Sequence, residues 1–373
     1  MRGLVAPGFE DVAAVFAECV PEDGVGGSFA AYVDGTAVLG VVAGTAGDDR
    51  PWEPDTTCVI ASGTKGIVAT AMLMLIERGR LALDEPVTTY WPEFAAAGKG
   101  DIRVADIVSH TAGLPGIVTP IAVEQLPDPE SIEAELAAQA PIVSDGQPSY
   151  HALTYGWLCD ALVRRVDGRS VGRFVADEIA TPLKLDLSIG TPPERVARTA
   201  RLRPSANYQL SAFLGVEQPD PRLAHVYGNP PVFGRMSDPQ LLACEVPGGN
   251  GVATASAMAR LYGCLACGGE LDDVRLMAPE TVELGRRELS SGIDPLSGRL
   301  LRFGVGFELA PNPSALGPAG DAFGHTGAGG SSHGAWPSRR VGFSFVTAGL
   351  RPENDDGRAT RLLAALDLCV NGP

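Results

Sequence analysis

Apolar positions come first in two short runs and then in one long one. Residues 24–44, GVGGSFAAYVDGTAVLGVVAG, place apolar stretches on either side of Asp34-Gly35, a pair suited to the positive φ angles of a tight hairpin turn. A β-hairpin is predicted there, and with it the start of an antiparallel sheet. From Ser62 to Arg78 the chain is nearly all apolar, without Gly or Pro after Gly66, which predicts a helix buried on most faces and ending at Gly79. Further helical patterns fall at 101–109, 152–168, 170–180, 254–268 and 279–288, so residues 60–295 read as mainly helical. Strand-like composition returns at Phe303 to Leu309, Asp321 to Thr326 and Val341 to Ala348, and 357–370 reads as a closing helix. The fold class is therefore α/β of the α+β type. A sheet domain is built from residues 1–60 and 296–373, and a mainly helical domain, 61–295, is inserted between them. Irregular stretches at 113–149 and 200–250 are too long for simple connections and are candidate pocket walls.

Composition narrows the classes. Over 373 residues, 45% hydrophobic and 20% charged describes a globule and not a disordered chain. Acids outnumber bases 45 to 29, for a net charge of −16, so the surface repels phosphate backbones and nucleic acid is not an expected partner. The longest apolar run, Ile67 to Ile76, is too short for a bilayer, which needs about 20 residues; Pro7 and Glu10 break the start of the chain, and no signal peptide is read. Seven scattered cysteines, an odd number, suggest reduced thiols and a cytoplasmic protein.

Ser62 and Lys65 lie three residues apart at the start of the long apolar helix, so they share one face of its first turn. A serine hydroxyl needs a base, and a lysine serves only if burial or nearby positive potential lowers its pKa from about 10.4. The helix N-terminus supplies such potential and the apolar run limits hydration. The chain has three lysines, Lys65, Lys99 and Lys184. The bland alternative is Ser62 as a helix N-cap.

Around this pair stand further blocks: Ile60 to Lys65 (IASGTK), Arg78 to Phe94 (RGRLALDEPVTTYWPEF), Ile102 to Pro115 (IRVADIVSHTAGLP), Tyr150 to Leu158 (YHALTYGWL), Gly249 to Arg260 (GNGVATASAMAR) and Gly324 to Gly330 (GHTGAGG). In these blocks the chain resembles the serine β-lactamase and penicillin-binding-protein superfamily, above all its class C, DD-peptidase and family VIII carboxylesterase branch. The resemblance spans nearly the whole chain. It implies a five-stranded antiparallel sheet flanked by helices, an all-helical domain, and an acyl-enzyme formed in the cleft between them. Carried over, Ser62 is the nucleophile and Lys65 its proton acceptor. Tyr150 takes the phenol role, held partly as phenolate to act as base and then as acid. Ala152 stands where an Asn is usual. The family's K-T-G becomes His325-Thr326-Gly327, a substrate-binding strand whose histidine is mostly neutral near pH 7, which disfavours a lactamase. The N–H groups of Ser62 and Ala328 would form the oxyanion hole.

The remaining candidates have bland readings beside sharp ones. Tyr155 is read as a packing residue. Gly330-Ser331-Ser332-His333-Gly334 fits G-x-S-x-G, but a turn and a strand follow it where a helix is required, so Ser332 is read as a loop residue. His110 is read as part of a structured turn, while His151, His225 and His333 are possible cleft residues. Cys264-x-x-Cys267 is read as a helix face, not a metal or redox pair. Tyr208, Phe213, Tyr227, Phe233 and Trp336 are candidate walls of an apolar acyl pocket. No metal or organic cofactor is called for. The expected function is an intracellular serine carboxylesterase on small-molecule esters or amides. The alternatives are an acyltransferase of secondary metabolism, then a β-lactamase or DD-peptidase, and, outside enzymes, a ligand receptor on the same fold.

Overall fold

In a computed structural model, which describes residues 1–21, 24–47, 49–144, 146–310 and 315–371, the chain begins with β1 (Arg2–Val5), β2 (Gly27–Val33) and β3 (Thr36–Ala43). The turn between β2 and β3 holds Asp34 at φ 47° and Gly35 at φ 75°, both positive as a two-residue hairpin of matching twist requires. Six strands come from the far end: β4 (Ser290–Ile293), β5 (Leu300–Phe303), β6 (Glu308–Leu309), β7 (Phe323–Gly327), β8 (Ser331–Trp336) and β9 (Val341–Thr347). All nine join in one antiparallel sheet, ordered β1-β3-β2-β9-β8-β7-β6-β5-β4.

The sheet is wider than the five strands expected. β1 adds an edge, and β4, β5 and β6 extend the other side. The segment Phe303 to Leu309, read above as one strand, is a hairpin: Phe303 pairs with Glu308, and the chain reverses at residues 304–306, where Gly304 N–H reaches the Phe307 carbonyl. Ser332 is not in a loop either. It lies buried within β8, its hydroxyl donating to the Ala315 carbonyl, and β8 runs into the Pro337–Arg339 turn and then β9. With no helix after it, Ser332 forms no nucleophile elbow.

Helices cover both faces of the sheet. α1 (Glu10–Cys19) packs Val12 and Phe16 beside Phe29, Phe343 and Phe345, together with Leu362 and Leu366 of the C-terminal helix. α2 (Thr64–Glu77), α3 (Thr154–Asp167) and α4 (Ala255–Ala266) belong to the other side, where Ala30 and Val346 point. The C-terminal helix is α5 (Arg358–Asn371). Neighbouring strand residues thus feed two different cores, which is why β2 and β9 read as apolar runs without a polar alternation. α2 is buried from Thr64 to Leu75, apolar around its whole circumference. The stretches read as irregular hold helices that went unpredicted: Pro129–Ala138, started by Asp128 accepting the Ser131 N–H, and the short helices Leu223–Tyr227 and Pro239–Ala243.

Candidate active site

The turn that presents Ser62 is held from three sides. Ala61 adopts φ 46°, a left-handed conformation that costs a non-glycine residue roughly 1–2 kcal/mol. Thr64 offsets this strain: its hydroxyl donates to the Ala61 carbonyl at 2.6 Å and accepts the Gly251 N–H at 2.8 Å. Ser62 itself caps nothing. It sits in the short 3-10 turn Ala61–Gly63, and neither that turn nor α2 has a side-chain cap, so the N-cap alternative falls away. The end of β7 lies directly against this turn, because a side chain at Gly327 would collide with the Ile60 carbonyl and the Ser331 hydroxyl. That close approach brings Ala328 beside Ser62 at the cleft, where both residues face the same space.

Lys65 is fully buried. Its ammonium donates to Ser62 Oγ at 3.1 Å, to the Ala152 carbonyl at 2.7 Å and to the Gly248 carbonyl at 2.6 Å. The last contact depends on α3: a Cβ at Gly156 would fall on the Gly248 nitrogen, so only glycine lets the helix press that loop against Lys65. Burial favours the uncharged amine and pulls its pKa to about 7, against the opposing pull of the Glu308 charge. The Tyr150 ring centroid lies 4.8 Å from the Lys65 nitrogen.

Tyr150 shares the cleft with Ser62, but its phenol is pushed well above its ordinary value. Burial is the main cause and the Glu308 charge adds to it, while a hydrogen bond with Ser62 works the other way. The phenolate expected from sequence is therefore disfavoured, and Tyr150 keeps its proton here. His325 does not reach the cleft. It is buried, its Nδ1 donating to the Thr326 carbonyl at 2.7 Å, and burial drives its pKa to about 3. Thr326, on the opposite face of β7, does line the cleft, and its N–H and hydroxyl bind Glu308 at 2.9 and 3.0 Å.

Glu308, Arg299 and Glu353 also line the cleft, and sequence reasoning missed all three. A signal existed for Glu308, the one charged residue between Phe303 and Ala310. Beside the cleft opens a largely apolar cavity of about 340 Å³, which shares Leu210, Phe233 and Ala328 with it. Of the expected pocket walls, Tyr227 and Phe233 face Ser62, and Tyr208 lines the larger cavity. Phe213 packs on Tyr227 at 5.7 Å between ring centroids. Trp336 lies elsewhere, buried against Phe343 with its indole N–H on the Leu316 carbonyl.

The other candidates are structural. His151 donates from Nδ1 to the Ser149 carbonyl and accepts the Leu114 N–H on Nε2; His110, at φ 64°, accepts the His151 N–H. His333 is buried with Nδ1 2.8 Å from the Ser344 hydroxyl, and His225 is not among the residues around Ser62. Tyr155 packs inside α3 against His110. Cys264 and Cys267 are free thiols at the end of α4. Among the described residues, no cluster of three or more His, Cys, Asp or Glu is placed to hold a metal ion, and no helix is long and apolar enough to cross a membrane.

Comparison with known proteins gives a consistent picture. The family model described as Beta-lactamase matches residues 12–367. The Esterase/beta-lactamase LipL of Mycobacterium tuberculosis (strain ATCC 25618 / H37Rv) is 35% identical over 362 residues, which covers 92% of this chain and 82% of LipL. The crystal structure of a family VIII carboxylesterase matches with a TM-score of 0.91 at 33% identity, covering 99% of each chain. That of a penicillin-binding protein homolog from Caulobacter crescentus matches with a TM-score of 0.89 at 34% identity, again over 99% of each.

Proposed function

Because this chain belongs to the beta-lactamase family, we propose that it is a serine carboxylesterase acting on small-molecule esters through an acyl-enzyme on Ser62. The observation that carries this reading is the Lys65 amine, buried, brought to about 7 and 3.1 Å from Ser62 Oγ. In its uncharged form Lys65 takes the Ser62 proton as Oγ attacks the ester carbonyl. The N–H groups of Ser62 and Ala328 receive the developing oxyanion, a contribution of roughly 3–4 kcal/mol per donor in comparable sites. As the tetrahedral adduct collapses, the Tyr150 phenol protonates the departing alkoxide and is reprotonated at the expense of the Lys65 ammonium. Water then repeats the sequence on the acyl-enzyme and releases the acid.

The apolar cavity of about 340 Å³ supports an apolar group on the substrate. Ser62, Lys65 and Tyr150 come from the mainly helical part of the chain, and Glu308, Thr326 and Ala328 from the sheet part, whose second segment begins with β4 at Ser290 and not at 296, so we take the cleft as the boundary between the two. The seven free cysteines support a cytoplasmic enzyme.

The test is release of p-nitrophenol from a short-chain p-nitrophenyl ester, with a chromogenic cephalosporin run in parallel. Ser62→Ala is expected to cut ester turnover by at least ~10³-fold with an unchanged circular dichroism spectrum, and wild-type cephalosporin cleavage should be far slower than ester cleavage. Turnover that survives Ser62→Ala would overturn the mechanism. A stoichiometric burst that then stalls would favour acyl transfer to an alcohol or amine.

A further inference from the structure

Glu308 occupies a position that the chemistry above does not use. It begins β6, opposite Phe303 of β5 and Gly324 of β7, and its carboxylate is fixed at the cleft wall by the Thr326 N–H and hydroxyl. No lysine or arginine among the described residues forms an ion pair with it. Glu353 lines the same cleft, and Arg299 is engaged by the Ser211 hydroxyl at 2.6 Å and by Glu353 at 3.4 Å. Arg302, also on the lining, is ion-paired with Glu288. His325, behind the strand, is uncharged. Among the described residues the cleft wall thus carries two carboxylates and two guanidiniums, but Arg299 is paired with Glu353 and Arg302 with Glu288, which leaves Glu308 without an arginine or lysine partner of its own. A further negative charge brought in by a substrate would be repelled at close range, where little water screens it.

We propose that Glu308 makes this site charge-selective, admitting esters whose acyl part is neutral or cationic and rejecting those that carry a carboxylate near the scissile bond. This rests on the esterase reading above and adds the substrate class to it.

Three esters of similar length test it: p-nitrophenyl butyrate, mono-p-nitrophenyl glutarate and the p-nitrophenyl ester of trimethylammoniobutyrate, at about pH 8, where carboxylates are ionised. Wild-type kcat/KM for the glutarate is expected at least ~10-fold below that for the butyrate, with the gap narrowing as salt is raised. Glu308→Gln should raise the glutarate-to-butyrate ratio by about 10-fold, mainly through KM, and lower the preference for the cationic ester. Glu308→Asp keeps the charge and should keep the wild-type ranking. Equal wild-type rates for glutarate and butyrate, or a Glu308→Gln variant that scales all three substrates by one factor, would overturn the proposal alone. If the butyrate is not hydrolysed, or is hydrolysed equally by Ser62→Ala, the esterase reading fails and this inference fails with it. The wild-type ranking and its salt dependence stand as a test even if the Gln variant does not fold.

Discussion

At the scale of single residues, the proposed mechanism ties the pH dependence of ester hydrolysis to Lys65. Only the neutral amine can accept the Ser62 proton, and burial brings the amine to about 7. Ester hydrolysis should therefore rise with pH through about 7 and level off above it, measured as kcat/KM on a neutral ester. Lys65→Arg keeps a cation that does not titrate in this range. It is expected to lose at least ~10³-fold and to show no inflection near 7. A wild-type rate that falls as pH rises through 7, or an arginine variant that keeps the wild-type profile, would remove Lys65 from the role of base. The candidates Ser62, Lys65 and Tyr150, which the structure brings together, were legible because the chemistry proposed for them imposes residue type and spacing. Glu308, Arg299 and Glu353 were not, because they meet only when the β4–β5 turn, β6 and the segment after β9 fold onto one wall.

At the scale of elements, the close contact of α3 with the loop at Gly248 decides where Lys65 points. Gly156→Ala would drive a methyl group onto the Gly248 backbone, and the helix or the loop must yield. Overpacking of this kind costs about 1–3 kcal/mol. Displacing the Gly248 carbonyl also removes a hydrogen-bond acceptor from the Lys65 ammonium. Urea unfolding should show the lost stability, and the midpoint of the pH–rate profile should move down, since the charged amine has lost a partner. A variant that is destabilised but keeps its midpoint would show that the contact supports the fold and not the base.

The elements differed in how openly they were written. Asp34-Gly35 announced its hairpin by turn chemistry, and α2 by an apolar run longer than any strand. The reversal at 304–306 was hidden because glycine fits an apolar strand pattern as readily as a turn, and β8 because its sequence, SSHGAW, follows neither period while every residue in it is buried. Pro129–Ala138 carries a weakly apolar face and depends on its Asp128 cap more than on periodicity.

At the scale of the whole molecule, acid stability follows from four buried histidines. Burial holds His110 well below 6.5, His151 near 4, and His325 and His333 near 3. The unfolded chain takes up these protons near 6.5 and the folded chain does not, so their stability is fully present above 6.5 and lost as pH falls toward 3–4. Each such histidine contributes a slope of about 1.4 kcal/mol per pH unit. Buried carboxyls held above their usual range, Glu308 and Glu353 among them, oppose part of that loss. His333→Gln isolates one proton. Its unfolding free energy should fall less steeply than wild type between about pH 6 and 4, by about 1.4 kcal/mol per unit, and parallel curves would mean that His333 titrates normally in the fold.

The seven-residue pairing of β2 with β9 has a consequence for synthesis. When the first hairpin leaves the ribosome, the strand that will cover its open edge lies about 300 residues away, roughly 15–60 s of translation. During that interval the Gly27–Val33 edge presents unpaired amides and apolar side chains to the cytosol, a ready template for another nascent chain. The helical segments emerge into this gap and can condense locally, while the sheet waits for β9. Yield in a cell should therefore depend on holdase capacity and elongation speed more than on the stability of the finished enzyme.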